Sequence, residues 1–427
     1  MKPSGLFYGY TVIGYSFTIL FLASCFFLHS RGVFFPVWME QFNVGRTEIS
    51  LAITLTLFTG SCIAPFMGYM IDRYPVRWIT TLGSLWLASG YMFYQFVESY
   101  WAFLVTMLLF QGVGWTTVGP LVQTKLMVNW FSRNRGMALG GAIMGISVAG
   151  VVMPTVAAYL LENFGWRDAY SFYAVSIVVL VVPLTLFVVK QHPNDLGLNP
   201  DGDTALLEEA ALEQDGSTDK ASAPILPSET GFAVYKEFLT TKAFWSIVIT
   251  FSLMNGVYSA MVTHLPNYLT TEFDFSLYDA SYSLGVAGIA AILGKVVFGW
   301  MMDHMDAKLT VLCAIASYLT AALVFVFEGG YLLIMVASFM FGLAFGGMVP
   351  VRSVLISRVF GTEKFSRANG LFSLFVAPAT FWVLITGYLA DLTGTYATAF
   401  KVWVVAFSLA AIVTFLIKLP NREDALD

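Results

Sequence analysis

From residue 8 onward the chain is a succession of long apolar runs separated by short polar breaks. The runs lack the apolar–polar alternation of strands. A helix of ~20 apolar residues crosses the ~30 Å hydrocarbon core of a bilayer with its backbone N–H and C=O groups bonded internally. Twelve such helices are predicted, over residues 8–38, 49–71, 78–97, 101–127, 137–161, 169–189, 243–270, 279–302, 309–327, 331–356, 368–390 and 398–418. The first run follows a single Lys2, is too long for the apolar core of a signal peptide, and has no small-residue cleavage site behind it, so it is expected to remain as a span.

One break is different in kind. Residues 191–240 open on His192-Pro193-Asn194-Asp195 and continue into an acidic stretch with Pro224, Pro227 and several Gly and Ser. That composition cannot bury a core, so most of it is expected to be a flexible linker, with a short surface helix over 204–213. It divides the chain into a six-helix bundle over 1–190, the linker over 191–240 and a second six-helix bundle over 241–427. The halves repeat. Gly68-x-x-x-Asp72 recurs as Gly299-x-x-x-Asp303, and Gly112, Pro120 and Phe131 recur as Gly342, Pro350 and Phe360. Parallel repeats of this kind imply a pseudo-two-fold axis along the membrane normal and a site between the halves. The expected fold class is therefore all-α integral membrane.

Composition agrees: 58% of residues are apolar and 11% are charged, against roughly 25% charged in soluble domains. Cys25, Cys62 and Cys313 lie in apolar runs, which supports neither a disulfide framework nor a metal site. No cofactor, metal or nucleic-acid partner is expected, and no nucleophile–base constellation or nucleotide loop suggests an enzyme. Counting Lys and Arg in the breaks puts fifteen on the side of the termini and three (Arg46, Arg167 and Lys401) on the other. By the positive-inside rule both termini are cytoplasmic.

Arg31, Lys125, Lys295 and Arg352 fall inside spans, and no Asp or Glu lies well inside any. A charge at the centre of a span costs at least ~2.5–3.5 kcal/mol and marks a functional residue by default. The excess of cations argues for an anionic substrate. Lys295 lies eight residues before Asp303, hence ~12 Å along the axis, near the midplane and too deep to reach water easily. A purely structural cation is the competing reading. Lys125 and Arg352 are nearer the cytoplasmic ends, where they either guide an anion inward or anchor their helices by snorkelling. His29 and Arg31 are two residues apart, ~200° around a regular helix, so at most one is expected to point squarely into a central cavity. Asn255, Tyr258 and His264 can supply neutral hydrogen bonds there, although ordinary packing explains each of them equally. Trp115 and Phe345 are candidate aromatic walls, and the glycines Gly136, Gly140, Gly141, Gly145 and Gly150 read as helix-packing positions.

The stretch Gly68-Tyr-Met-Ile-Asp72-Arg73-Tyr-Pro-Val-Arg77 and its echo Gly299-Trp-Met-Met-Asp303-His304-Met-Asp-Ala-Lys308 resemble the signature of the major facilitator superfamily of secondary transporters. Trp130-Phe131-Ser-Arg133-Asn-Arg135-Gly136-Met-Ala138-Leu-Gly140 resembles the signature of its monocarboxylate-transporter and oxalate–formate-exchanger branch. The resemblance implies the major facilitator fold, alternating access, a small organic anion as substrate and Asp72, Arg73, Arg133, Arg135 and Asp303 as gating residues. It also implies that Lys295, standing where the branch has a substrate-binding arginine, holds the carboxylate, and that His29 occupies the place of a first-helix lysine used for protons and substrate. Two departures matter. Ala291 replaces the aspartate that animal carriers pair with the eighth-helix cation, and residues 368–390 contain no Lys or Arg, where the oxalate exchanger has a lysine. The sequence thus points to a monomeric carrier of a small organic anion, a monocarboxylate first, in a bacterial cytoplasmic membrane. A dicarboxylate exchanger and a non-transporting anion sensor are the alternatives, and protons are a candidate co-substrate.

Overall fold

The computed structural model describes residues 7–131, 135–199, 201, 238–327, 330–360 and 365–417, with backbone only at 65, 72, 135, 136, 303 and 365–367. Twelve helices cross the molecule. They are α1 (Tyr8–Phe42), α2 (Arg46–Arg73), α3 (Val76–Phe93), α4 (Tyr100–Trp130), α5 (residues 135–164), α6 (residues 166–188), α7 (Lys242–Glu272), α8 (Leu277–His304), α9 (Ala307–Val326), α10 (Tyr331–Phe360), α11 (Phe365–Val376 continuing to Phe381–Thr393) and α12 (Ala397–Phe415). α5 and α6 join without a loop, and the chain turns at Gly165, whose φ of 78° is open to glycine without a Cβ clash.

Local chemistry explains where the helices begin and end. Ser99, Ser276 and Asp306 accept hydrogen bonds from backbone N–H groups in the first turns of α4, α8 and α9, at 3.3, 3.1 and 3.0 Å. Asn43 and Gly394 leave α1 and α11 in the left-handed conformation. Among the described residues four helices are interrupted along their length. α1 carries a wide π turn at Cys25–His29, α4 another at Met107–Gly112 and α6 a third at Ile177–Val181, and α11 tightens to a 3-10 turn at Ala377–Thr380, where Pro378 lacks an N–H. The sequence pattern had predicted a continuous span over 368–390; the break follows from that proline.

The buried apolar side chains form two clusters, one between Val12 and Val189 with Val383 added, the other between Phe238 and Ile417. Large apolar residues on the outer surface, such as Phe187 and Val296, suit a lipid surround. The first residues of the predicted linker are held against the ends of α3 and α4. Lys190 and Gln191 accept hydrogen bonds from Trp130 Nε1 (2.8 Å) and Asn129 Nδ2 (3.2 Å), Gln191 Oε1 accepts from Val76 N (3.1 Å), and Asp195 caps a short 3-10 turn at Pro193–Leu196. Side-chain N–H groups at the end of α4 and the Val76 N–H at the start of α3 hold this segment by donating to its carbonyl and amide oxygens. The predicted helix over 204–213 lies outside the described residues.

Candidate functional site

A cavity of about 230 Å³ lies between the two clusters, at the level where α1 and α11 are interrupted. α1 contributes Leu28, His29 and Arg31, α5 contributes Ile146, Ser147 and Gly150, and α7 contributes Asn255, Tyr258, Ser259 and Val262. Leu57, Gly288, Ala291, Phe345 and Thr380 complete it from α2, α8, α10 and α11. Among the described residues of the lining, Arg31 is the one permanent charge and there is no carboxylate.

Arg31 is 6% exposed. Its Nη2 donates to Ser259 Oγ across the cavity at 3.3 Å, and its Nε finds no partner among the described residues. His29 lines the cavity beside it, against Gly150, and its Nε2 is also unpartnered. The expectation that only one of the two would face the cavity is therefore corrected. The π turn ending at His29 and the bend at Ser30 alter the angular step between them from that of a regular helix.

Lys295 stands one side chain further out. Half-buried on α8, it donates from Nζ to Ser147 Oγ, and Ser147 rather than Lys295 lines the cavity. Asn255 and Tyr258 are in the lining as expected. Tyr258 lies flat on Phe345, with centroids 3.4 Å apart and planes at 2°. In the other half Phe27 stacks on Trp115 at 4.6 Å and 10°. These two pairs are repeat equivalents, 231 and 230 residues apart, so the aromatic walls obey the repeat. Trp115 faces an adjoining cavity, also about 230 Å³, that shares Leu57 and Thr380 with the first and extends along α2 and α4 past Ala64 and Leu121. Lys125 is half-buried on α4, outside both cavities. Arg352 is placed away from them too, with its guanidinium 5.0 Å over the Phe372 ring.

The two ends of the molecule differ. On the face opposite the linker, Gly32 of α1 lies so close to the Val262 carbonyl of α7 that a Cβ would collide with it, and Gly387 of α11 packs as tightly on Ser50 of α2. Asp391 at the end of α11 caps the start of α2, accepting from Arg46 N (3.1 Å), Thr47 N (2.6 Å) and Thr47 Oγ1 (2.6 Å). Arg46 Nη1 stands 3.8 Å from Asp391 Oδ1, and its guanidinium lies 5.0 Å over Tyr396. His264, fully buried, joins Ser50 Oγ (3.3 Å), Val383 O (2.9 Å) and Tyr396 OH (3.1 Å), so its place is in this closure and not in the cavity. Asp391 was missed in the sequence because it falls just beyond the predicted span. On the linker face, by contrast, a Cβ on Gly68, Gly140, Gly299 or Gly370 would meet nothing among the described residues within 4 Å. Gly141, Gly145 and Gly150 do pack closely, on Ile13, the Phe17 backbone and His29. Of the expected gating residues, Arg73 is exposed and donates to Tyr69 OH at 2.8 Å, while Arg133 and the side chains of Asp72, Arg135 and Asp303 lie outside the described residues.

Comparison with known proteins accords with this architecture. Monocarboxylate transporter 13 of Rattus norvegicus is 25% identical over 399 residues, spanning 92% of this chain and 85% of the relative. An uncharacterized MFS-type transporter, YcxA of Bacillus subtilis (strain 168), is 20% identical over 431 residues, 95% and 96% of the two chains. In structure, a bacterial homolog of the human lysosomal transporter Spinster, crystallised inward-facing and unoccupied, superposes with a TM-score of 0.74 at 15% identity over 98% of this chain and 97% of the other. The family model of the Major Facilitator Superfamily matches residues 16–377 and 289–425. With ten stretches among the described residues long and apolar enough to cross a membrane, packed around a central cavity, the chain is a multi-pass membrane transporter and belongs to the Major Facilitator Superfamily.

Proposed function

We propose that this transporter carries a small organic anion, a monocarboxylate, by alternating access. The observation that carries the reading is Arg31: a buried guanidinium on the central cavity, with one long hydrogen bond and no carboxylate partner among the described residues. A buried unpaired charge is costly, and a carboxylate in the cavity offsets that cost by accepting two parallel N–H bonds from the fork. Ser259, Asn255 and Tyr258 offer the neutral donors beside it. Lys295 adds a second positive charge behind Ser147, able to act on the anion through that hydroxyl. The names of the monocarboxylate transporters to which the chain is similar support the same substrate class.

In this reading residues 1–190 and 241–427 rock about the cavity, tethered by 191–240, and the termini lie in the cytoplasm. Closure of the far face and the open glycines of the linker face then make this an inward-open state. The test is titration of the purified protein with small carboxylates, followed by uptake into vesicles. Saturable carboxylate binding that Arg31→Gln removes supports the proposal. Carboxylate binding untouched by Arg31→Gln and Lys295→Ala would overturn the assignment of the site, and binding without any vesicle uptake or exchange would favour a sensor.

A further inference from the structure

The cavity is chemically one-sided, and this bears on the body of the substrate as well as its head. Its charge is concentrated at Arg31, whereas Leu28, Leu57, Ile146, Val262 and Phe345 present hydrocarbon to the rest of the space. Phe345 stacks flat on Tyr258 and so offers a broad apolar wall. A volume of about 230 Å³ has room for several waters at ~30 Å³ each. An anion of two or three carbons bound at Arg31 leaves most of that wall facing water, whereas a ring or branched chain covers it. Apolar pockets that use a few polar groups for orientation are the usual design for ligands with an apolar body.

We infer that the substrate is a monocarboxylate with an aryl or branched apolar body, its carboxylate on Arg31 and its body against Phe345. The inference rests on the proposed function and narrows it. A second carboxylate has no cationic partner in the described lining, since Lys295 is bonded to Ser147 outside it and Arg352 lies over Phe372. Dicarboxylates are therefore disfavoured, and so are amines, which Arg31 repels.

The experiment titrates the purified full chain with acetate, phenylacetate, 3-methylbutyrate, succinate and neutral phenylacetamide. Burial of apolar carbon strengthens binding roughly fourfold per methylene equivalent. Phenylacetate and 3-methylbutyrate are expected to bind at least tenfold more tightly than acetate, with succinate and phenylacetamide weaker than either. In Phe345→Ala, checked for folding by its thermal melt, the phenylacetate-to-acetate ratio should fall while acetate affinity holds. Equal affinity for acetate and phenylacetate, both lost in Arg31→Gln, would overturn the apolar-body inference and leave the monocarboxylate reading standing. An unchanged ratio in folded Phe345→Ala would remove Phe345 as the specificity wall and overturn the inference likewise. No binding of any carboxylate would overturn both.

Discussion

Replacing Asp391 with alanine should open the face opposite the linker. The carboxylate caps α2 through two backbone N–H groups and a hydroxyl, all from the other half of the sequence, and stands 3.8 Å from Arg46. A side-chain N-cap contributes ~0.5–2 kcal/mol. The ion pair, with side chains 16% and 28% exposed, adds ~0.2–1 kcal/mol after solvent screening. Together the loss is ~1–3 kcal/mol, and each ~1.4 kcal/mol shifts the ratio of closed to open tenfold. Only the state in which α2 and α11 touch contains these bonds, so their removal biases the equilibrium and leaves the separate halves intact. Asp391→Asn, which keeps one acceptor oxygen and loses the charge, should fall between the two.

Spin labels at the exposed Glu98 and Leu392, in a background without Cys25, Cys62 and Cys313, would report the separation of the halves on that face. The expected outcome is a new population at longer distance in Asp391→Ala, smaller in Asp391→Asn. A distance distribution identical to the parent's, in protein with an unchanged melt, would show that packing at Gly32 and Gly387 holds the face closed without the carboxylate.

At Arg31, loss of charged hydrogen bonds worth ~1.5–3 kcal/mol should weaken carboxylate binding by roughly ten- to 150-fold in Arg31→Gln; isothermal titration checks it. Lys295→Ala should cost less than Arg31→Gln, and Lys295→Arg should retain binding, because Ser147 stands between Lys295 and the cavity. Equal losses at the two positions would place both groups on the anion. Gly288→Ala should lower the melting temperature and weaken transport, since a Cβ there meets the Gly150 and Val151 backbone at 2.8 Å and overpacking costs ~1–3 kcal/mol. Halving the linker segment 202–237 should change carboxylate affinity by no more than the ~0.6 kcal/mol of a twofold change in loop length, read in the same titration; a larger loss would give that segment a part in the site.

The twelve crossings were legible because each needs only length and apolarity, and a bilayer imposes both. The interruptions were less so. A count of apolar residues passes over Pro378, which sets the 3-10 turn in α11, and nothing in Cys25-Phe-Phe-Leu-His29 distinguishes a π turn from ordinary helix. The closure of the far face was hidden for another reason. Asp391 and Thr47 are 344 residues apart in sequence, and a carboxylate just past a span looks like any solvated loop residue. Its meaning comes from the helix start that α2 presents to it, which exists only once the halves are packed together.

The two cations show which part of a site a chain of letters can carry. Depth in the membrane follows from counting, because each helical residue rises ~1.5 Å whatever its neighbours. Lys295 was recognisable on that basis as a charge too deep to reach water easily, and Arg31 as a cation inside a span. Direction around the helix is a running sum of ~100° steps, so one extra residue in a wide turn rotates everything after it by about that amount. Arg31 follows such a turn by two residues, and it lines the cavity together with His29 although a regular helix would point them apart. Lys295 sits on α8, which has no interruption among its described residues, yet its azimuth directs it first to Ser147 of α5. The charge inventory therefore named both cations, and the irregular turn at mid-membrane accompanies the one that lines the cavity.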